Sequence, residues 1–298
     1  MIQLGKQNFT PAKIALGTAQ FGLAYGVSND AGQVTDSRVD EILRLGERAG
    51  MGILDTAIAY GNSEDVLGRH RVDGWRVVSK LPAHPDGCED IGEWVSAQLR
   101  ASLLRLRVDR LHAFLLHRPE QLLLPGGPSL FAALERARAD GLVTKIGVSV
   151  YGPDELEALS GRFAFDVVQG PFNVVDRRLA DSGWLSRLQD QGCEFHARSV
   201  FMQGLLLMGA ESRPAYFDRW VEVWSGWEAW LAETGMTPLR ACMAHALAQP
   251  GIDQVVVGVT SSRELDEILS TACEGPAAPP SLRSLDPDLV IPSRWRIS

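Results

Sequence analysis

Residues 111–119 read Leu111-His112-Ala113-Phe114-Leu115-Leu116-His117-Arg118-Pro119. The run is too short for a helix and is closed by a proline. Its apolar residues occupy consecutive positions, as in a strand covered on both faces. Working outward, the same kind of run recurs at Ile14-Ala15-Leu16, Gly52-Ile53-Leu54, Trp75-Arg76-Val77-Val78-Ser79, Lys145-Ile146-Gly147-Val148, Phe165-Asp166-Val167-Val168, Glu194-Phe195-His196-Ala197 and Gln254-Val255-Val256-Val257.

Amphipathic stretches separate these runs. Asp36 is placed to cap a helix whose stripe is Val39, Ile42, Leu43 and Ala49, with Gly50 as the stop. Thr237-Pro238 is a cap and first-turn pair ahead of Leu239, Cys242, Met243, Ala246 and Leu247. Ser261-x-x-Glu264 has the form of a capping box before Leu265, Ile268 and Leu269. Phe131, Leu134 and Ala137 lead to Gly141 in another helix.

Eight strands, each followed by a helical stretch, predict an α/β protein with a (β/α)8 TIM barrel. The reading is a single domain over residues 1–298, with a core from about 13 to 270. A long insert, 202–236, follows strand seven, and an irregular, Pro-rich tail covers 274–298. A doubly wound open sheet would announce itself with G-x-G-x-x-G after strand one. Gly17-Thr18-Ala19-Gln20-Phe21-Gly22 does not match that pattern.

Composition narrows the function. Apolar residues make up 45% of the 298-residue chain and charged residues 22%, which excludes a disordered chain. A net charge of −8 gives no support for nucleic-acid binding. No apolar run is long enough to cross a membrane, and Met1-Ile2-Gln3-Leu4-Gly5-Lys6 lacks the pattern of a signal peptide. Cys88, Cys193, Cys242 and Cys273 are scattered and make no metal-binding pair, so they read as reduced thiols in a cytoplasmic protein without a bound metal. The sequence leaves the oligomeric state open.

In such a barrel the reactive groups sit at the C-terminal strand ends. Strand two ends in Asp55, with Tyr60 in the loop beyond. Strand three ends in Lys80 and strand four in His117. Singly, each has a plain structural explanation, as a turn residue, a core ring, a solvated amine or a structural imidazole. Three adjacent strands delivering all four to one rim point to chemistry. A phenol titrates near pH 10, and an ammonium beside it favours the phenolate. A buried lysine needs the counter-charge that an aspartate supplies. A neutral imidazole can donate to a substrate oxygen. Together they suit protonating a carbonyl oxygen while hydride from a nicotinamide reaches the carbon. Two alternatives stay open. One is a lyase or isomerase using Lys80 as a Schiff-base nucleophile. The other is a non-catalytic nicotinamide sensor.

The stretch Leu54-Asp55-Thr56-Ala57-Ile58-Ala59-Tyr60-Gly61-Asn62-Ser63-Glu64-Asp65-Val66-Leu67-Gly68 resembles the DTAxxYGxSExxLG pattern of the aldo-keto reductases. Val78-Ser79-Lys80 and Leu116-His117-Arg118-Pro119 are similar to that family's lysine and histidine segments, in the same order. The opening Leu16-Gly17-Thr18-Ala19-Gln20-Phe21-Gly22 is similar to the start of its first strand. The resemblance covers about residues 13–270 and implies carbonyl reduction with NADPH, or NADH as the alternative. By position it implies Tyr60 as proton donor, Lys80 and Asp55 as its tuning pair and His117 as the carbonyl-orienting group.

It also implies a set of cofactor contacts. Gly17 and Thr18 fall in the first-strand segment. Ser149, in Gly147-Val148-Ser149, and Gln169 fall where the family holds the nicotinamide amide, although Val150 stands in place of an Asn. Arg198, Ser199, Phe201, Gln203 and Gly204 fall in the loop that wraps the pyrophosphate. Gly258, Thr260, Ser261, Arg263 and Glu264 fall in the adenosine segment. The usual basic residue after strand eight is missing. Arg263 could face a ribose 2′-phosphate, and Glu264 could accept from a ribose 2′-hydroxyl or serve only as a cap. The substrate is expected to be a small aldehyde, ketone or sugar. The opening GTAQFGLAYGVSN is similar to family members of sugar metabolism. Gln20, Phe21, Tyr25 and Phe172 are expected to line the substrate pocket, with Trp184 and Trp295 as further candidates. The stripe Trp220, Trp224, Trp227 and Trp230 reads first as packing and second as a platform for a sugar ring.

Overall fold

The computed structural model describes residues 11–271, 278 and 280–297. Met1–Lys6, Cys273 and part of the tail lie outside the described residues. The strands are β1 (Ile14–Gly17), β2 (Ile53–Asp55), β3 (Arg76–Leu81), β4 (Leu111–Leu116), β5 (Val143–Ser149), β6 (Val167–Pro171), β7 (Glu194–Arg198) and β8 (Gln254–Gly258). They close in sequence order into a parallel barrel, with β8 pairing back onto β1. The expected eight-stranded barrel is therefore the observed fold.

The pleat divides each strand between two cores. One parity packs outward under the helices and includes Leu16, Leu54, Val77, Phe114, Ile146, Val168 and Phe195. The other fills the barrel with Ala15, Ile53, Val78, Ala113, Leu115, Val167 and Val256. Following the inward parity toward the C-terminal ends reaches Gly17, Asp55, Lys80, His117, Ser149, Gln169, Arg198 and Gly258. The same alternation toward the N-terminal ends reaches Arg76, Lys145, Glu194 and Gln254. One pattern thus builds an apolar plug with a polar layer at each mouth.

The predicted helices are present, with some caps displaced. The first long helix, Asp36–Ala49, buries Val39, Ile42 and Leu43 and stops at left-handed Gly50. Its cap position is Thr35; Asp36 lies in the first turn and bonds Arg69 instead. Thr237 caps Pro238–Ala248 by accepting from the Arg240 N–H at 3.3 Å. The insert after β7 is a chain of short turns followed by the helix Val221–Thr234. Trp224, Trp227 and Trp230 are buried against the core, which settles the stripe as packing and removes the sugar-platform reading. Trp220 donates to Asp286 at 3.0 Å and the Trp295 ring packs edge to face on Phe217 at 5.0 Å, fastening the described tail to the insert. Trp184 is buried beneath Arg187, so neither Trp184 nor Trp295 faces the large cavity described next. Cys193 and Cys242 are buried free thiols, and Cys88 is a partly exposed one. No described helix is long and apolar enough to cross a membrane.

Candidate active site

A cavity of about 900 Å³ opens over the C-terminal ends of the strands. Its floor is set by β1 and β8, where Gly17 pairs with Gly258. A side chain at Gly258 would meet the end of the Gln20 side chain, which would have to turn aside.

Asp55 and Lys80 form the buried centre. Lys80 donates to Asp55 Oδ1 at 2.6 Å and to the Thr56 carbonyl at 2.9 Å. Its third N–H is left for the side of Tyr60, whose ring centroid lies 5.0 Å from Nζ. Burial works to lower the proton affinity of Lys80, but the charge of Asp55 more than offsets it, and the net shift is upward. The amine is therefore held as an ammonium. The second oxygen of Asp55 accepts from Gln169 Nε2 at 2.6 Å. This leaves Gln169 Oε1 buried without a partner among the described residues.

Tyr60 and His117 stand on the open side of that centre and line the cavity, with ring centroids 5.9 Å apart, edge to face. Burial first, then the charges of Lys80 and Arg198, push the His117 pKa down to about 4. The imidazole is neutral at physiological pH and retains one N–H to donate. The structure thus brings all four strand-end candidates together.

The second half of the Tyr60 motif is structural. Ser63 donates to the Thr18 carbonyl at 2.9 Å. Glu64, buried, accepts from Ser79 and Ser102 at 2.6 Å and from Arg105 at 2.8 Å. The turn between Tyr60 and Ser63 rests directly on the β1 loop. A Cβ on Gly22 would sit 1.9 Å from the Tyr60 carbonyl, and one on Gly61, at φ +55°, 2.3 Å from the Gly22 carbonyl.

The loop after β7 contains four residues in left-handed conformations: Ser199, Met202, Gln203 and Gly204. This curling leaves the backbone N–H groups of Val200, Phe201 and Gln203, all cavity residues, without an acceptor among the described residues. Such a nest attracts anions. The β1 loop closes over it: Val27 N–H donates to the Gln203 carbonyl at 2.9 Å, and Ser28 occupies the place where a side chain on Gly204 would project.

Of the other expected residues, Thr18, Gln20, Tyr25, Ser149, Arg198, Ser199, Thr260 and Glu264 also line the cavity. Ser261 and Arg263 do not, and Arg263 is exposed. Ser261 accepts from the Glu264 N–H at 3.3 Å, as the predicted box requires, while the Glu264 carboxylate reaches one residue further back and accepts from the Thr260 N–H and hydroxyl, both at 2.7 Å. Two substrate-pocket expectations are corrected. Phe21 and Phe172 are wholly buried and contribute no surface to the cavity. Phe172 follows inward-facing Pro171, so the pleat turns it outward, where it stacks on His245 at 4.9 Å. Tyr151, two residues beyond Ser149, lines the cavity and was not singled out from sequence.

The comparisons with known proteins agree with this geometry. The model of the aldo/keto reductase family matches residues 13–275. The chain is similar to an oxidoreductase, sirO, of Leptosphaeria maculans, at 26% identity over 88% of this chain and 89% of that protein. It is similar to aflatoxin B1 aldehyde reductase member 2 of Rattus norvegicus, at 24% identity over 89% of this chain and 81% of that one. Among solved structures, a glycerol dehydrogenase from Gluconobacter oxydans superposes with a TM-score of 0.68 at 19% identity, covering 89% of this chain and 87% of that one. That likeness speaks for the fold. Because the family match spans nearly the whole barrel, the chain belongs to the aldo/keto reductase family, and so to the oxidoreductases that act on carbonyl groups.

Proposed function

We propose that this protein interconverts a carbonyl group of a small aldehyde, ketone or sugar with the corresponding alcohol, using a nicotinamide dinucleotide and Tyr60 as general acid and base. The observation that carries the reading is the convergence of Tyr60, His117 and Asp55 on one wall of a cavity large enough for cofactor and substrate, with Lys80 buried behind Asp55.

The donor set fits such a cofactor. The unpartnered Gln169 Oε1, beside Ser149, suits the carboxamide N–H groups of a nicotinamide. The free N–H groups of Val200, Phe201 and Gln203 suit a pyrophosphate. A bound reduced nicotinamide would supply the hydride. The protein's part is to hold the carbonyl oxygen between the His117 N–H and the Tyr60 hydroxyl. Tyr60 then gives that oxygen its proton, and the fixed Lys80 ammonium stabilises the negative charge left on the phenol. Asp55 keeps Lys80 charged and in place.

At the adenosine end, Glu264 and Glu267 line the wall while Arg263 lies outside. Two carboxylates oppose a ribose 2′-phosphate, so this wall favours NADH over the NADPH expected from family resemblance. A Schiff-base role for Lys80 requires a neutral amine facing the cavity; Lys80 is fully buried, charged and off the lining.

Fluorescence titration with NADH and NADPH, followed by turnover on a carbonyl panel, tests the reading. Tyr60→Phe should bind dinucleotide normally and lose on the order of 10³-fold in kcat. Full turnover by Tyr60→Phe would remove the phenol from the mechanism.

A further inference from the structure

The charges on the cavity wall are unevenly placed. The carboxylates Glu264 and Glu267 stand at the adenosine end, and Asp30 on the β1 loop. At the reacting end the Lys80–Asp55 charges cancel and His117 is neutral. That leaves Arg198, the one arginine or lysine among the described lining residues.

Arg198 ends β7 on the inward parity, and its guanidinium reaches across to the end of β5. It donates to the Val150 carbonyl at 2.9 Å and to the Ser199 hydroxyl at 3.2 Å, and lies 4.8 Å from the centroid of the Tyr151 ring. Every one of these partners is neutral. Other half-buried arginines face a carboxylate: Arg105 faces Glu64, Arg138 faces Asp166 and Arg178 faces Asp176, at 2.7 to 2.8 Å. Arg198 has no carboxylate partner among the described residues. A part-buried guanidinium with unspent donors and no counter-ion is an expensive arrangement unless a ligand completes it.

The cofactor does not need this cation. Its phosphates have the Val200, Phe201 and Gln203 N–H groups, whereas Arg198 is anchored at Val150 and Tyr151, next to Ser149 on the reacting side. Its field also reaches His117, whose proton affinity it lowers after burial and Lys80 have done so.

We infer that the natural carbonyl substrate carries an anionic group, carboxylate or phosphate, that pairs with Arg198 while its carbonyl oxygen lies between Tyr60 and His117. This rests on the reductase reading above and moves Arg198 from the cofactor set to the substrate set. In the reaction the carbonyl carbon gains the hydride and the oxygen gains the Tyr60 proton. The nicotinamide is oxidised, and the anionic group passes through unchanged. The products are a hydroxy acid or a hydroxyalkyl phosphate. Tyr151 holds the guanidinium in position beneath the substrate.

Two matched pairs test the assignment: pyruvate against methyl pyruvate, and glyceraldehyde 3-phosphate against glyceraldehyde. The keto ester is the more electrophilic partner, so a preference for the acid cannot come from intrinsic reactivity. The wild-type enzyme should favour the anionic member of one pair by on the order of tenfold to a hundredfold in kcat/KM. Which pair responds tells carboxylate from phosphate. Arg198→Gln should bring the ratio to about one, and Arg198→Lys should keep part of it. Dinucleotide Kd should move by less than about twofold in both variants, which a cofactor role for Arg198 would not allow. Equal rates in both wild-type pairs overturn the inference, as does an unchanged ratio in Arg198→Gln or a loss confined to dinucleotide affinity. If no carbonyl turns over, the reductase reading fails. Calorimetry with oxamate, and with phosphoglycolate for the phosphate arm, on the dinucleotide complex then decides the anion site by itself. Binding that Arg198→Gln weakens tenfold or more upholds the site, and absent or unweakened binding of both refutes it.

Discussion

Both mouths of this barrel carry a lysine–carboxylate pair with histidines beside it, yet only the upper one has the form of a site. Above, Lys80 and Asp55 are buried, and Tyr60, His117 and Gln169 beside them line one open cavity. Below, Lys145 pairs with Glu194, both partly exposed, among His112, His196 and Arg76. None of these lower groups lines the cavity. The lower set has leftover groups of its own, since His112 Nε2, both His196 nitrogens and Gln254 Oε1 are buried without a partner among the described residues, but none of them faces that cavity. Glu194, with His196 Nε2 3.6 Å away and Lys145 hydrogen-bonded to it, has its pKa pulled down to about 2. A charged pair is therefore not what distinguishes a site. What distinguishes the upper mouth is that its leftover donors and acceptors belong to residues lining one cavity: the Gln169 oxygen, the His117 N–H and the Arg198 guanidinium.

The largest expected difference between the two mouths follows from removing each ammonium. Lys80→Met strands a buried carboxylate, so it should lose about 3–5 kcal/mol of stability in urea unfolding and most turnover. Lys145→Met should change stability by about 1 kcal/mol or less and leave kcat unaltered. Equal penalties at the two ends would mean the upper pair is merely structural. The next effect belongs to the loop above the upper mouth. Gly204→Ala must place a methyl group against Ser28 at a backbone φ of +92°. Dinucleotide Kd should rise by about tenfold with the Tyr60 chemistry retained. Unchanged affinity would exclude the Val200–Gln203 nest as the phosphate site.

Acid should act on both ends with the same sign. His112 is held at about 4, by burial first and then by Lys145 and Arg76, and His117 is held at about 4 as well. Each binds a proton less readily folded than unfolded, so stability is greatest above pH 6.5 and falls as pH drops from there toward 4. Glu194 extends the loss below pH 4.5 toward 2. Melting temperature measured from pH 7.5 to 4 should decline accordingly, and a flat profile would contradict the buried neutral histidines. Activity should show no inflection near pH 6.5 from His117. The smallest effect is expected at the adenosine wall, where Glu267→Lys should raise the NADPH-to-NADH preference by several-fold.

Much of this was legible in the sequence because strands obey a short rule. Eight short apolar runs, each followed by a helical stretch, define the barrel, and the C-terminal ends of those runs deliver Asp55, Lys80 and His117 to one mouth. Phe172 escaped because the pleat changes its direction one residue beyond Pro171, and Phe21 because a single helical turn, Ala19–Gly22, points it into the core beside cavity-facing Gln20. The Val27–Gln203 contact and the left-handed run at 199–204 are backbone conformations, which no spacing of side chains announces. Arg198 was visible as a residue. Its lack of a counter-ion emerges only when every neighbouring strand is in place.

The seat beneath Tyr60 has a practical corollary for anyone reshaping this enzyme. Two bare α-carbons, Gly22 and Gly61, interlock under the tyrosine's own peptide. Mutant libraries aimed at new substrates should leave both codons fixed, since any side chain there lifts the tyrosine off its mark before selectivity is ever tested.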